Sequence, residues 1–412
     1  MILGVAVASY FVEDIQEKIP WVRDIQLFAH SWICRTMPRK VGPDHVAIVE
    51  IDDQSYWAAP FSGEEPTNRE KLGDLIRIAE ANGALVIGLD IQLKSMDDSY
   101  GDDPKRQEAN NYLFTQIANV RRPVVLSAGM QLTANGYKEE PNILADDALP
   151  RSASVGHVNL PRDLRQIPLR IANLNSFAQM LTDKYQQVIH AKGRLLESDV
   201  IKRMQERDEF LYGVFWNREQ FLTVSASELL KDPAPRDRFA GRIVIIGKNH
   251  HASAKNRGRL SDAYQSPMGE TSGVFLHANY VEALLSANFQ PGVPRWAGVV
   301  LDVLLAIFAY VGFASRTRLW TRSAFVVLLM APLVVAYFLF ANLGLYLDFV
   351  LPLFLIIGHL SIDHYIDLQK ELLAFRKKAP VEGPRNETPK DPVTTNDHAL
   401  PASEPVQQPR TG

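Results

Sequence analysis

Two hydrophobic patterns divide the chain. Through roughly the first 290 residues, short apolar runs alternate with longer amphipathic ones. Val46 to Ile51 (VAIVEI) is rich in β-branched residues and closes on Asp52 and Asp53, which predicts a strand buried on both faces. Arg69 to Ala81 follows with Leu72, Leu75, Ile76 and Ala79 at helical spacing, and Asn82-Gly83 supplies a C-terminal cap. Ala84 to Leu89 (ALVIGL) is the next strand and ends in Asp90. Strand, helix and strand in this order predict a right-handed βαβ unit with two neighbouring parallel strands.

The alternation continues. A polar helix over Lys105 to Asn119 leads to a strand at Pro123 to Ser127, and Val155 to Leu160 is another. Asn173 to Tyr185 predicts a helix, Ile243 to Gly247 (IVIIG) a strand, and His277 to Ala287 a last helix. Lys184 to Glu209 is charged with weak periodicity and is read as an exposed helical insertion. The expected fold is an α/β domain with a mostly parallel sheet over residues 44–290, long enough to bury its own core.

The second pattern is different in kind. Residues 296–314, 323–341 and 344–364 are apolar runs of about twenty residues, the length that crosses a ~30 Å hydrocarbon core as a helix. They predict an all-α transmembrane bundle. Arg316, Arg318 and Arg322 fill the turn between the first two runs, and Arg376, Lys377 and Lys378 follow the third. The opposite turn, Ala341 to Tyr346, has no basic residue, and only Arg295 argues the other way. Short basic loops stay inside, so the large domain is expected outside and the C-terminus in the cytoplasm. In a Gram-negative source that places the spans in the inner membrane and the domain in the periplasm; otherwise the domain is extracellular. Residues 1–12 (MILGVAVASYFV) are apolar but short for a span and lack preceding basic residues. They are read as the remnant of a signal anchor, completed upstream, or as a buried helix at the domain edge. Residues 13–43 form an amphipathic linker. The segment 379–412, rich in Pro, Thr, Asn and Glu, is expected to be a disordered cytoplasmic tail.

Charge and cysteine content narrow the classes. A net charge of -3 argues against nucleic-acid binding. One cysteine, Cys34, excludes an intrachain disulfide and a cysteine-rich metal site, and Ser31-Trp32-Ile33 before it is not a lipidation pattern.

Several blocks, in order, resemble the second type of CHASE domain, an extracytoplasmic sensory module of bacterial receptors. They are Val46 to Asp53, Gly83 to Ile91, Gly156-His157-Val158-Asn159 with Ile167-Pro168-Leu169, Phe221 to Leu230, and Phe239 to Gly247. Asp262, Pro267-Met268-Gly269, Gly273-Val274 and His277-Ala278-Asn279 complete the likeness, and three spans after the domain fit it. Phe61 to Thr67 and the stretch Arg194 to Glu209 depart from the family pattern. The resemblance implies binding rather than catalysis. It also implies a cytoplasmic output, for which Asp367 to Gly412 leaves no room, so a separate partner is expected at the spans or at Asp367–Lys378, with a homo-oligomer also open.

Asp52, Asp53 and Asp90 are the candidate ligand-binding residues. They fall at the carboxyl ends of parallel strands, where ligands of open α/β sheets gather, and clustered carboxylates suit a hard cation. The alternative is that strand-end aspartates cap local turns. His250, His251 and His277 are too ordinary in position to predict a metal, no cofactor is identified, and Lys248 to Arg259 reads as a solvated basic loop. Asp302, His359, Asp363 and His364 sit near span ends, where the interface accommodates them. The leading reading is a sensor working through a partner. An envelope scaffold subunit and an envelope enzyme using the aspartate edge are the alternatives.

Overall fold

The computed structural model describes residues 42–64, 67–93, 104–133, 136–139, 150–190 and 211–291 with short breaks, scattered positions within 24–35, residue 300, and residues 365–374 except 367. The predicted spans at 296–314, 323–341 and 344–364 fall almost wholly outside the described residues, as do the 1–12 run, most of the linker, the insertion beyond His190 and the tail. Among the described residues no helix is long and apolar enough to cross a membrane.

Six strands form one parallel sheet: β1 (Val46–Ile51), β2 (Val86–Asp90), β3 (Val124–Ala128), β4 (Ala153–His157), β5 (Leu222–Ser225) and β6 (Ile243–Lys248). Their spatial order is β5-β1-β6-β2-β3-β4. The expected direct pairing of β1 with β2 is therefore corrected. The late strand β6 inserts between them, pairing with both. Local pattern cannot reveal such an insertion, because two strands buried on both faces have the same sequence character wherever they stand in the sheet.

Alternation along each strand divides the core in two. Val46, Ile48, Val86, Val125, Ile243 and Ile245 pack on one face beneath α4 (Phe177–His190) and α6 (Gly273–Leu285). Ala47, Val49, Ile51, Ile87, Leu89, Val124, Leu126, Val244 and Ile246 pack on the other. There they meet α2 (Arg69–Ala81), α3 (Pro104–Asn119) and the short α5 (Ala226–Lys231). Each fully buried Leu or Ile contributes about 1.5–3 kcal/mol, so both faces of the sheet are energetically committed and the register is fixed.

The helices start and stop where local chemistry dictates. The Asn68 side chain caps α2 by accepting from Lys71 N (3.1 Å), and Asn82 with Gly83 at φ +90° ends it. α6 begins one turn earlier than its apolar periodicity predicts, after Ser272, which places His277 in its second turn rather than at its start. Every residue of α6 from Gly273 to Leu284 is buried, as expected of a helix apolar all round. Two of its polar residues are partnered: Asn279 Oδ1 accepts from Trp216 N at 2.6 Å, and Glu282 accepts from His45. Small antiparallel two-stranded pairings flank this frame. Ala263–Ser266 pairs with Gly269–Ser272 just ahead of α6, and Phe289–Pro291 pairs with Leu211–Gly213 just after it.

Candidate functional site at the carboxyl edge of the sheet

One rung near the carboxyl edge differs from the apolar rungs below it. Glu50, Gly247 and Asp90 are in register across β1, β6 and β2. Ser127 lies one step beyond Leu126, the partner of Leu89, and pairs with Gly156. The two glycines let the helices descend onto the sheet. A Cβ at Gly247 would stand 2.7 Å from Val274 at the start of α6, and one at Gly156 would stand 2.7 Å from Phe177 Cα at the start of α4. The rung thus brings two helix starts together over Glu50, Asp90 and Ser127.

Glu50 is satisfied. It accepts two hydrogen bonds from Arg218 (3.0 and 2.8 Å) and one from Asn249 (2.6 Å), and the Arg218 guanidinium lies over the Phe275 ring of α6. Asp90 is not. It makes no hydrogen bond among the described residues, its side chain keeps only 11 % exposure, and His277 Nε2 stands 3.9 Å away. That separation is too long for a hydrogen bond. Burial, helped by the nearby Asp262 carboxylate, pushes the Asp90 carboxyl up to about 8. Burial, with His157 nearby, pushes His277 down to about 3. The two groups therefore face each other uncharged despite an approach close enough for an ion pair, since desolvation outweighs an attraction that no other donor reinforces.

More polar atoms crowd this end of the sheet without partners. His157 at the end of β4 is fully buried, and burial lowers it to about 4 with only a loose contact to the Asn159 backbone opposing. Both its ring nitrogens, His277 Nδ1, Ser127 Oγ and Ser272 Oγ lack a hydrogen-bond partner. Each such buried group costs about 1–3 kcal/mol. Asp262 accepts from Gly273 N at 3.1 Å at the start of α6, and burial beside it raises Tyr264 as well. A buried cluster of carboxyl, hydroxyl and imidazole groups therefore lies beneath the first turns of α6.

The three sequence candidates have different partners. β6 separates the strands carrying them by two spacings, ~10 Å. Asp52 caps the short helix α1 (Asp53–Trp57), accepting from Ser55 N at 2.8 Å and Ser55 Oγ at 2.6 Å. Asp53 accepts from His251 N and Nδ1, both at 2.7 Å. Asp52 thus caps a local turn and Asp53 braces the distant His251, whereas Asp90 lies beside His277 under α6. His250 stacks on Tyr56 at 3.6 Å, away from His277, and the described residues contain no cluster of three metal-ligating side chains. Sequence reasoning missed Glu50, Ser127, His157, Asp262 and Ser272 as a group. The one available signal was a histidine closing a buried strand in the Gly156-His157-Val158-Asn159 block. A separate pocket of about 350 Å³ lies between residues of the 24–35 segment, including Phe28 and Trp32, and the Gln265–Gly269 turn.

The architecture defines an open parallel α/β domain whose polar cluster sits where such sheets bind ligands. A family model for the CHASE2 domain matches residues 2–314, most of the chain, and the protein belongs to that family of extracytoplasmic sensory domains. No curated protein and no solved structure matches it.

Proposed function

We propose that this protein is a membrane-anchored extracytoplasmic sensor. Its exported domain passes its state through α6 and the spans to a separate cytoplasmic partner. The observation that carries this reading is the position of α6. The helix covers the polar cluster with its first turns, is buried along its length, and is followed by Phe289–Pro291, which the strand Leu211–Gly213 pins by pairing. The first apolar segment begins at residue 296, and Pro291 and Pro294 stiffen the link, so little motion is absorbed on the way. The basic residues at Arg316, Arg318, Arg322 and Arg376 to Lys378 support the orientation.

A docking surface follows the third apolar segment. Tyr365, Ile366, Leu368, Leu372 and Leu373 are all exposed on a helical stretch within 365–374 of the unit Gly358–Gly412. The opposite side carries Lys370 and Glu371, one charge of each sign, where a helix lying on an anionic membrane carries mostly Lys and Arg. That favours a protein partner at Asp367–Lys378. Truncation after Lys378 should leave the partner copurifying with the full chain in mild detergent, whereas flexible Gly-Ser residues inserted between Val293 and Pro294 should leave the partner bound but unresponsive. Loss of the partner on truncation, or an unchanged response after insertion, would overturn the reading.

A further inference from the structure

We propose that the proton is itself a signal for this domain, acting at two buried contacts that hold the two halves of α6: Asp90 under His277, and His45 against Glu282. The inference rests on α6 being the output element, as argued above, and names what sets its position.

The first contact lies under the second turn of α6. Asp90 fits there as a neutral acid. The groups facing it are His277 from α6, Asp262 and Tyr264 from the hairpin ahead of α6, with His157 from β4 behind His277. None is a cation under neutral conditions, because burial holds both histidines uncharged and Asp262 contributes only repulsion. An ionised Asp90 would thus be an unpaired buried charge, which the site relieves by letting α6 lift and admit water.

The second contact lies near the other end. Glu282 is fully buried and accepts from His45 Nδ1 (2.7 Å), His45 N (3.1 Å) and Ser286 Oγ (2.8 Å). His45 immediately precedes β1, so this pair ties the start of the domain to the end of α6. The Glu282 hydrogen bond raises His45 above its usual value, with Asp44 adding to the effect and burial and Arg242 opposing it; the Tyr185 ring packs edge-on.

Both contacts work in the same direction. Each group holds its proton more tightly in the closed domain than in water, so each contribution is present at low pH and is lost as pH rises through the closed-state value. For Asp90 that loss tapers off as the pH passes above about 8. Alkalinisation therefore loosens α6 at both halves together.

The test is amide hydrogen exchange of α6 in the full-length protein in detergent micelles, corrected for the intrinsic pH dependence of exchange. Exchange of the α6 amides should rise about fivefold between pH 7 and 8 from Asp90 alone and level off above about pH 9. Asp90→Asn, which matches the neutral acid in shape, should flatten the response of residues 273–279. His45→Asn should flatten it nearer Glu282. As a second reading, the infrared difference between wild type and Asp90→Asn should show a protonated carboxyl band that disappears near pH 8. A pH-independent α6, an Asp90→Asn variant with the full response, or no protonated carboxyl band at pH 7 would each overturn the proposal. If α6 responds to pH while the Gly-Ser insertion leaves signalling intact, the span route fails and the proton site stands.

Discussion

The seating of α6 on the sheet depends on the missing side chain at Gly247, so Gly247→Ala tests that seating directly. The added Cβ would lie 2.7 Å from Val274 Cβ and Cγ2 and 3.3 Å from Asp90 Cβ. Carbon atoms pack at about 3.5–4.0 Å, so the overlap with Val274 is close to 1 Å. Rotating the valine does not clear it, because one of the clashing atoms is Val274 Cβ itself and moves only with the helix backbone. Overpacking of this kind costs about 1–3 kcal/mol, while replacing a strand glycine by alanine returns about 0.5–1 kcal/mol. A net loss of about 1–2 kcal/mol is expected, a fall of several degrees in Tm for the purified full chain. The companion glycines set the scale. At Gly156 the obstacle is the Phe177 backbone (2.7 and 2.9 Å), so Gly156→Ala should cost more; at Gly88 it is the far ends of Phe177 and Leu181, so Gly88→Ala should cost less. A neutral or stabilising Gly247→Ala, or a reversed order of Gly156 and Gly88, would refute the close approach of helix and sheet.

Asn279→Ala should be among the most damaging α6 substitutions. It strands the buried Trp216 amide at about 1–3 kcal/mol and removes the Asn279 bonds to Trp216 O and Phe275 O, measurable by thermal or urea unfolding. Asp52→Ala should cost about 0.5–2 kcal/mol as a lost helix cap and leave the pH response of α6 unchanged; loss of that response would return Asp52 to the site. Overall stability should peak near about pH 6.5. Below it, unfolded His157 and His277 take up protons that the folded chain refuses, two groups against the opposing Asp90; above it, Asp90 and His45 hold protons that the unfolded chain releases. A peak above pH 8 in a thermal-shift series would contradict these assignments.

The elements on the central sheet were largely legible because their signals are local. β1 and α2 begin and end where the β-branched run and the Asn68 and Asn82-Gly83 caps predict. Their arrangement was not, because the insertion of β6 between β1 and β2 depends on residues about 160 and 200 positions away from those strands. The same cause hid the site. Asp52, Asp53 and Asp90 look alike as strand-end aspartates, and only tertiary partners distinguish a cap on Ser55, a brace on His251 and a buried acid under His277. The roles of His157 and Ser127 were hidden for a further reason. Their importance lies in lacking partners at a buried rung, which no sequence pattern records.

The central claim is that the sensory domain stands outside the membrane and reports through spans that end in the cytoplasm. The most direct measurement is a pair of reporter fusions placed after Lys378 and expressed in a Gram-negative host. The account predicts an inactive alkaline phosphatase and a bright cytoplasmic fluorescent protein at that position. An active phosphatase with a dark fluorescent protein would put the C-terminus outside and contradict the route from α6 to an inner partner.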